Sequence, residues 1–325
     1  MTPTRERPDN GADLVCVGET LAVMDATDPG PLRHSRSFCL RLAGAEFNVA
    51  IGAARLGTRT AYIGRIGDDE PGRLVREVLL AEGVDARGLT VHPDLPTSLM
   101  VKEHRMPGVV GVTYYRRGNA GSTLTPADLD PALLRDAAVL HLSGITPALS
   151  ASARATVFAA AEEARAARTL VSLDLNYRGR LWPQDEAAAV LRDLAAHADV
   201  VFSTTEEAAL LCPATTPRDA AHRLAALGPR EVVVKRGAEG AVALVDGVCL
   251  DQGAFPVREV DPTGAGDAFV AGYLAERIAG GGAADRLDLA ARLGAFAVTQ
   301  PGDWEGLPRR SDLGLVEHRA GTVLR

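Results

Sequence analysis

Asp261-Pro262-Thr263-Gly264-Ala265-Gly266-Asp267-Ala268-Phe269 runs directly into Val270, Ala271, Tyr273, Leu274 and Ile278, an apolar stripe at helical spacing. Gly264 and Gly266 therefore stand at a helix N-terminus, where backbone N–H groups are unpaired and the dipole is positive. Such a turn cradles an anion, and its small residues let a phosphate approach the backbone. Asp267 projects from the first helical turn toward the same space. A carboxylate there can orient and deprotonate a hydroxyl during phosphoryl transfer. The plainer alternative is a tight turn in which Asp267 only complements the dipole. The length of the string, set before a helix and late in the chain, favours the cradle.

Working outward, the chain alternates buried strands with helices. Leu14–Gly18, Thr60–Gly67, Val139–Ser143, Leu170–Leu175, Val200–Ser203 and Glu231–Lys235 are short apolar runs of the kind that fill a sheet covered on both faces. Helices are expected at Gly44–Leu56, from Pro71 to about Glu82, at Ala151–Ala167, near Glu186–His197 and at Glu206–Leu211. This rhythm predicts an α/β fold with a mostly parallel sheet flanked by helices. One stretch departs from it. Thr97–Arg105 and Val109–Arg117, joined by Met106-Pro107-Gly108, read as a hairpin outside the main sheet, which Ser37–Leu42 can join as a small β lid.

Composition narrows the function. At 325 residues, 46% hydrophobic and 24% charged, the chain can bury a real core, and no repeat or linker divides it. Its net charge of −7 argues against binding nucleic acid through phosphates, and no apolar run is long enough to span a membrane. Met1 to Asn10 is polar and reads as a frayed tail, not a secretory signal. Cys16, Cys39, Cys212 and Cys249 are isolated, as in a reducing, cytoplasmic setting. Only Lys102 and Lys235 among the 35 cations are lysines, and neither completes a Walker A loop, so the cradle is a glycine turn with no lysine of its own. Gly18-Glu19-Thr20-Leu21 after the first strand offers no G-x-G-x-x-G, which removes a dinucleotide oxidoreductase.

The string D-P-T-G-A-G-D-A-F resembles the C-terminal signature of the ribokinase-like sugar kinases, the PfkB family. Ala43-Gly44-Ala45-Glu46-Phe47-Asn48-Val49-Ala50, with Arg55-Leu56-Gly57, resembles the family's N-terminal signature. The likeness runs roughly from Leu14 to Leu307. It implies a ribokinase-like three-layer sandwich over 12–310, with a β lid inserted from about 36–42 and 96–118, an N-terminal tail over 1–11 and a C-terminal tail over 311–325. Within the family, Tyr114-Tyr115-Arg116-Arg117-Gly118-Asn119-Ala120, Leu142-Ser143-Gly144-Ile145-Thr146 and Asp174-Leu175-Asn176-Tyr177-Arg178 look most like the branch acting on 2-keto-3-deoxygluconate.

The resemblance implies ATP and Mg²⁺ as cofactors, with Asp267 as general base and Gly264, Ala265 and Gly266 stabilising the transferring phosphoryl group. It implies a sugar site lined by Gly44, Asn48, Tyr114, Arg116, Arg178 and Asp303. On the nucleotide side it implies Thr204, Lys235, Gly237, Gly240 and Asp261, with Glu207 placing the metal. Residue chemistry supports an acidic substrate separately: arginine forks bind carboxylates in bidentate fashion, and Arg178 follows the C-terminal end of a strand, where α/β proteins hold ligands. The bland counterparts are a surface ion pair for Arg178, an edge-blunting charge for Arg116, strand packing for Tyr114 and an Asx turn for Asp303. Gly237 and Gly240 equally suit an ordinary hairpin between Val232–Val234 and Ala241–Val245.

This sequence departs from the family pattern at three places. Ala43-Gly44 stands for the usual Gly-Gly hinge, Met100 for a sugar-contacting tyrosine, and Thr204-Thr205-Glu206-Glu207 for N-x-x-E. The expected partners are a sugar acid and ATP, with a homo-oligomer formed through lid edges. Other sugar specificities, such as fructokinase or ribokinase, and a non-catalytic sugar sensor stay open at this stage.

Overall fold

Leu14, Val15, Cys16 and Val17 are fully buried, and alternate members enter two different cores. That is the mark of a strand covered on both faces. The computed structural model describes residues 11–106 and 109–317. Met1 to Asn10, the Pro107-Gly108 part of the expected hairpin turn and positions 318–325 of the expected C-terminal tail lie outside the described residues.

The first half of the chain comprises β1 (Leu14–Val17), β2 (Leu21–Ala26), β3 (Phe38–Ala43), α1 (Ala45–Arg55), β4 (Thr60–Gly67), α2 (Glu70–Ala81) and β5 (Leu89–His92). The hairpin β6 (Ser98–Met106) and β7 (Val109–Tyr115) follows, then α3 (Pro131–Asp136), β8 (Val139–Ser143), α4 (Ala151–Ala166) and β9 (Leu170–Asp174). The second half comprises α5 (Gln184–His197), β10 (Val200–Thr204), α6 (Thr205–Leu211), α7 (Pro217–Ala225), β11 (Glu231–Lys235), β12 (Ala241–Val245) and β13 (Val248–Gln252). It closes with α8 (Ala265–Ile278) and α9 (Ala283–Ala297).

Nine strands form one sheet in the order β13-β12-β11-β10-β9-β8-β1-β4-β5. Strand β12 runs antiparallel to both neighbours, and the remaining pairs are parallel. Helices α1, α2, α8 and α9 cover one face and α3 to α7 the other, each over its own apolar core. The three-layer sandwich expected from the alternating pattern is therefore present. Helix starts follow local chemistry: Asp69 caps α2 through Gly72 N with Pro71 in the first turn, and Ser150 caps α4 through Ala153 N.

The lid is larger than the sequence pattern indicated. A second sheet of order β3-β2-β6-β7 adds β2, which pairs parallel to β6 and antiparallel to β3. Strand β2 escapes pattern reading because Asp25 interrupts its apolar run. That carboxylate is buried only because Arg41 (3.2 Å) and His104 (2.8 Å) converge on it. Leu21, Val23, Ala43 and Met100 form the lid's own small core. The stretch expected as a loose C-terminal tail is, over its described part, a 3₁₀ segment Arg310–Glu317. Leu313 packs on the main core, and Glu317 pairs with Arg292 on α9 at 2.6 Å. No helix among the described residues is long and apolar enough to cross a membrane.

Candidate active site

Helices α1 and α8 cross at a small-residue contact. A Cβ on Gly52 would lie 2.8 Å from the Ala271 Cβ. One turn nearer the N-terminus of each helix, the same approach brings Asn48 onto Asp267, with Asn48 Nδ2 donating to Asp267 Oδ2 at 2.8 Å. Asp267 is half-buried and lines the cleft. Burial pushes its carboxyl up to about 7, with Asp174 adding to the rise, while Asn48, Lys235 and Arg178 oppose it. A carboxylate so poised is matched to accepting a proton near neutral pH.

Gly264 caps α8 in the left-handed region, at φ 76°. A Cβ there would meet the Asp303 carbonyl oxygen at 2.0 Å, so the turn and the Asp303 loop are pressed backbone to backbone. The Ala265 N–H leans on the Pro262 carbonyl at 3.4 Å, leaving Gly264, Gly266 and Asp267 as the freer donors of the cradle. Gly264→Ala is expected to destabilise the chain by about 1–2 kcal/mol from the left-handed backbone alone. Displacement of Asp303 adds to that cost. Thermal melting checks this, and an unchanged melting temperature contradicts the packing.

Beneath the turn stands Lys235, at the end of β11. A Cβ on Gly266 would approach its Nζ at 3.5 Å, and Nζ donates to Asp174 Oδ2 at 2.6 Å. Burial alone would weaken this ammonium, but Asp174 and Glu207 more than offset it and hold the pKa above the usual lysine value. A turn without a lysine of its own thus acquires one from the sheet.

Thr204 and Glu207 form a capping box at the start of α6. Glu207 Oε2 accepts from Thr204 N at 2.8 Å and Oε1 from Tyr177 N at 3.0 Å. Thr204 therefore caps as Asn would. Among the described residues no group of three or more His, Cys, Asp or Glu could cage a metal. Asp174 and Glu207 interact, however, and Asp174 Oδ1 is buried without a partner. That set suits a hydrated divalent ion held chiefly by a ligand's phosphates.

The cleft above Asp267 has a volume of about 110 Å³ and lies between the lid and the ends of the main strands. All six residues expected at the sugar site line it: Gly44, Asn48, Tyr114, Arg116, Arg178 and Asp303. Arg116 is less free than expected. Its Nη2 pairs closely with Glu19 and its guanidinium stacks 5.2 Å from the Tyr114 ring centroid, although Nε is left without a partner. Arg178, on the loop after β9, is exposed, and its guanidinium has no hydrogen-bond or ion-pair partner among the described residues. Ala43 pairs regularly with Leu21 in the lid, so of the two positions expected as a hinge only Gly44 stands outside the lid sheet, pressed against the Glu19 carbonyl.

Gly237 and Gly240 sit in the β11–β12 hairpin, where Gly240 is required by the Gln252 carbonyl 1.9 Å from its missing Cβ. Asp261, expected on the nucleotide side, instead accepts from Lys102 Nζ at 2.7 Å and from Thr263.

Three cleft residues were missed. Glu19 is held by Ser98 Oγ (2.7 Å) and Arg116, and Glu46 by Ser143 Oγ (2.7 Å) and Thr146 Oγ1 (2.8 Å). The third is Lys102, on β6. Each had a signal: a charged residue directly after a buried strand, beside a hinge glycine, or on the inward face of an apolar strand.

Residues 12–310 match the family model described as pfkB family carbohydrate kinase. The chain is 39% identical over 299 residues to a 2-dehydro-3-deoxygluconokinase of Thermoproteus tenax, covering 91% of each chain. It is 36% identical over 311 residues to a 2-dehydro-3-deoxygluconokinase of Bacillus subtilis (strain 168), covering 93% of this chain and 94% of that one. Its fold superimposes with a TM-score of 0.88 on a putative Ribokinase II from E. coli in complex with ATP and Mg²⁺, at 28% identity over 94% of this chain and 99% of that one.

Proposed function

The chain belongs to the pfkB family of carbohydrate kinases, and from that premise we propose that it phosphorylates the primary hydroxyl of a 2-keto-3-deoxy sugar acid, 2-keto-3-deoxygluconate, using ATP. One observation carries the choice of an acid: the unpartnered Arg178 guanidinium lines the same cleft as Asp267. A planar fork of donors at that position suits a substrate carboxylate.

In this reading the sugar's primary hydroxyl lies against Asp267, which accepts its proton as the oxygen bonds to the γ-phosphorus and the bond from that phosphorus to the β–γ bridging oxygen breaks, releasing ADP. Asn48 fixes the rotamer of Asp267 through its 2.8 Å bond. The N–H groups of Gly264, Gly266 and Asp267, with Lys235 below, stabilise charge on the transferring phosphoryl oxygens. Magnesium, when bound, neutralises phosphate charge, with Glu207 and Asp174 as the protein carboxylates available to its water shell. Asp303 and the Arg116 Nε–H orient sugar hydroxyls from the C-terminal loop and the lid. The lid excludes water, limiting futile ATP hydrolysis.

The test is an ADP-release assay with 2-keto-3-deoxygluconate, fructose and ribose side by side. The acid is expected to exceed both neutral sugars in kcat/KM by about tenfold or more, the worth of a charge-assisted hydrogen-bonded pair. Equal or better turnover of fructose assigns the neutral-sugar alternative. Sugar binding without ADP formation assigns a sensor.

A further inference from the structure

Each of the chain's two lysines is held by a buried carboxylate, Lys102 by Asp261 and Lys235 by Asp174. Lys235 lies under the glycine turn, and Lys102 is only 1% exposed on the inward face of β6, in a protein whose other 33 basic residues are arginine. The Lys102 ammonium donates to Asp261 Oδ2 at 2.7 Å and stands 3.7 Å from Asp303 Oδ1. Asp261 also accepts from Thr263 N (3.1 Å), Thr263 Oγ1 (2.6 Å) and Gly302 N (3.2 Å), so one carboxylate joins the entrance of the glycine turn to the loop carrying Asp303. Trp304 Nε1 donates to Leu42 O on the lid at 3.1 Å, closing the same triangle from the other side.

We propose that Lys102 is a positioning residue of the sugar site: its ammonium fastens the lid sheet to the glycine turn and aims Asp303 into the cleft as a hydroxyl acceptor. The proposal rests on the kinase reading for its consequence but not for its geometry. A buried ammonium is unfavourable unless carboxylates surround it, and here two do. The slot also suits the residue type, because one compact point charge reaches Asp261 and Asp303 together.

The charges facing Asp303 are Lys102 from β6, Asp261 from the turn, Glu305 from its own loop and Asp25 from β2. Arg41 on β3 holds both Glu305 (3.1 Å) and Asp25 (3.2 Å), and His104 also reaches Asp25. Burial pushes Asp303 up to about 7, Lys102 pulls it down, and Asp261, Glu305 and Asp25 raise it. Removing the ammonium therefore moves Asp303 further up, so that at neutral pH it is protonated and poorer as an acceptor for sugar hydroxyls.

Two measurements decide the matter. In steady-state kinetics from about pH 5.5 to 9, Lys102→Met is expected to raise KM for the sugar roughly tenfold and leave KM for ATP within about twofold. It also moves the acid limb of kcat/KM upward by about one pH unit, the tenfold equivalent of one lost charge contact. In an Asp303→Asn background the same substitution gives no further movement of the limb. A lowered melting temperature with unmoved KM and limb, or a limb shift that persists without Asp303, overturns the proposal.

The second measurement needs neither the Met variant nor turnover. Lysine labelled with ¹³C at Cε gives only two signals in this chain, and Lys235→Arg identifies the Lys102 signal. That signal is expected to report the ionisation of Asp303 as a chemical-shift step near pH 7 in the wild-type chain and to lose that step in Asp303→Asn. A flat Lys102 signal, or a step unchanged by Asp303→Asn, refutes the coupling even if no sugar acid proves to be a substrate.

Discussion

Asp267→Asn is expected to lower kcat by about 10²–10⁴, the usual worth of a positioned general base, with KM for the sugar changed by less than about threefold. The substitution keeps the size of the side chain and a carbonyl oxygen for Asn48 to bond, so the constellation survives while proton acceptance is lost. Near-normal turnover sinks the assignment. A second consequence has the opposite sign for stability. The folded chain holds the Asp267 carboxyl at about 7, above its ordinary range, so the stabilising protonated form is fully present below that range and is lost as pH rises through 7. At pH 8 the wild-type chain therefore carries a charge that its partly buried site disfavours and that the Asn variant lacks. The variant is expected to be more stable there by about 1–3 kcal/mol and nearly equal to wild type near pH 4. Melting curves at the two pH values check the crossover. A variant that loses activity and stability together at pH 8 indicates collapse of the site, not loss of a base.

The same titration shapes the activity profile. Asp267 and Asp303 both sit at about 7 and both serve as acceptors when ionised. Log kcat/KM for the sugar is expected to rise with a slope between one and two below neutrality. Removal of Asp303 alone leaves a slope of one.

How far the sequence anticipated this arrangement depends on what each residue had to declare. Strands such as Thr60–Gly67 and Val139–Ser143 were legible with their observed bounds, because a strand buried on both faces must be continuously apolar. Edge strands β5 and β13 are four and five residues long and half exposed, so they lack that mark. Helix α7 is only nine residues long and buries just Ala220, Ala221 and Leu224, a span too short to have been singled out. For the cleft, residues in local motifs were visible: Gly44, Asn48 and Asp267 belong to strings that announce a hinge or a helix start. The pairing states were not visible. That Arg116 is committed to Glu19, that Asp261 serves Lys102, and that Lys235 rises beneath Gly266 are all contacts between segments far apart in the chain. Charge spacing along the sequence carries no information about such contacts until the sheet order β11-β10-β9-β8-β1 brings the segments together.

Those pairings make the substrate argument sharper than net charge or arginine count could. Three cations line the cleft, and Lys102 and Arg116 are already matched by Asp261 and Glu19. Arg178 alone keeps its charge free among the described residues, so a substrate carboxylate entering the cleft has one strong partner. Arg178→Ala is accordingly expected to reduce kcat/KM for 2-keto-3-deoxygluconate by about 10–10², the usual worth of charge-assisted hydrogen bonds to a carboxylate. Turnover of a neutral sugar, however slow, should change by less than about threefold, since no carboxylate is there to lose its clamp. Arg178→Lys should recover only part of the loss, because an ammonium keeps the charge but not the bidentate fork. Part of the effect should also appear in kcat. Arg178 lowers the Asp267 pKa, so its removal leaves less of the base ionised at neutral pH, and raising the assay pH to about 8.5 should restore that part while leaving the KM defect in place. Equal losses for acid and neutral sugars would show instead that Arg178 supports the cleft or the phosphoryl group, and the carboxylate clamp would fall with it.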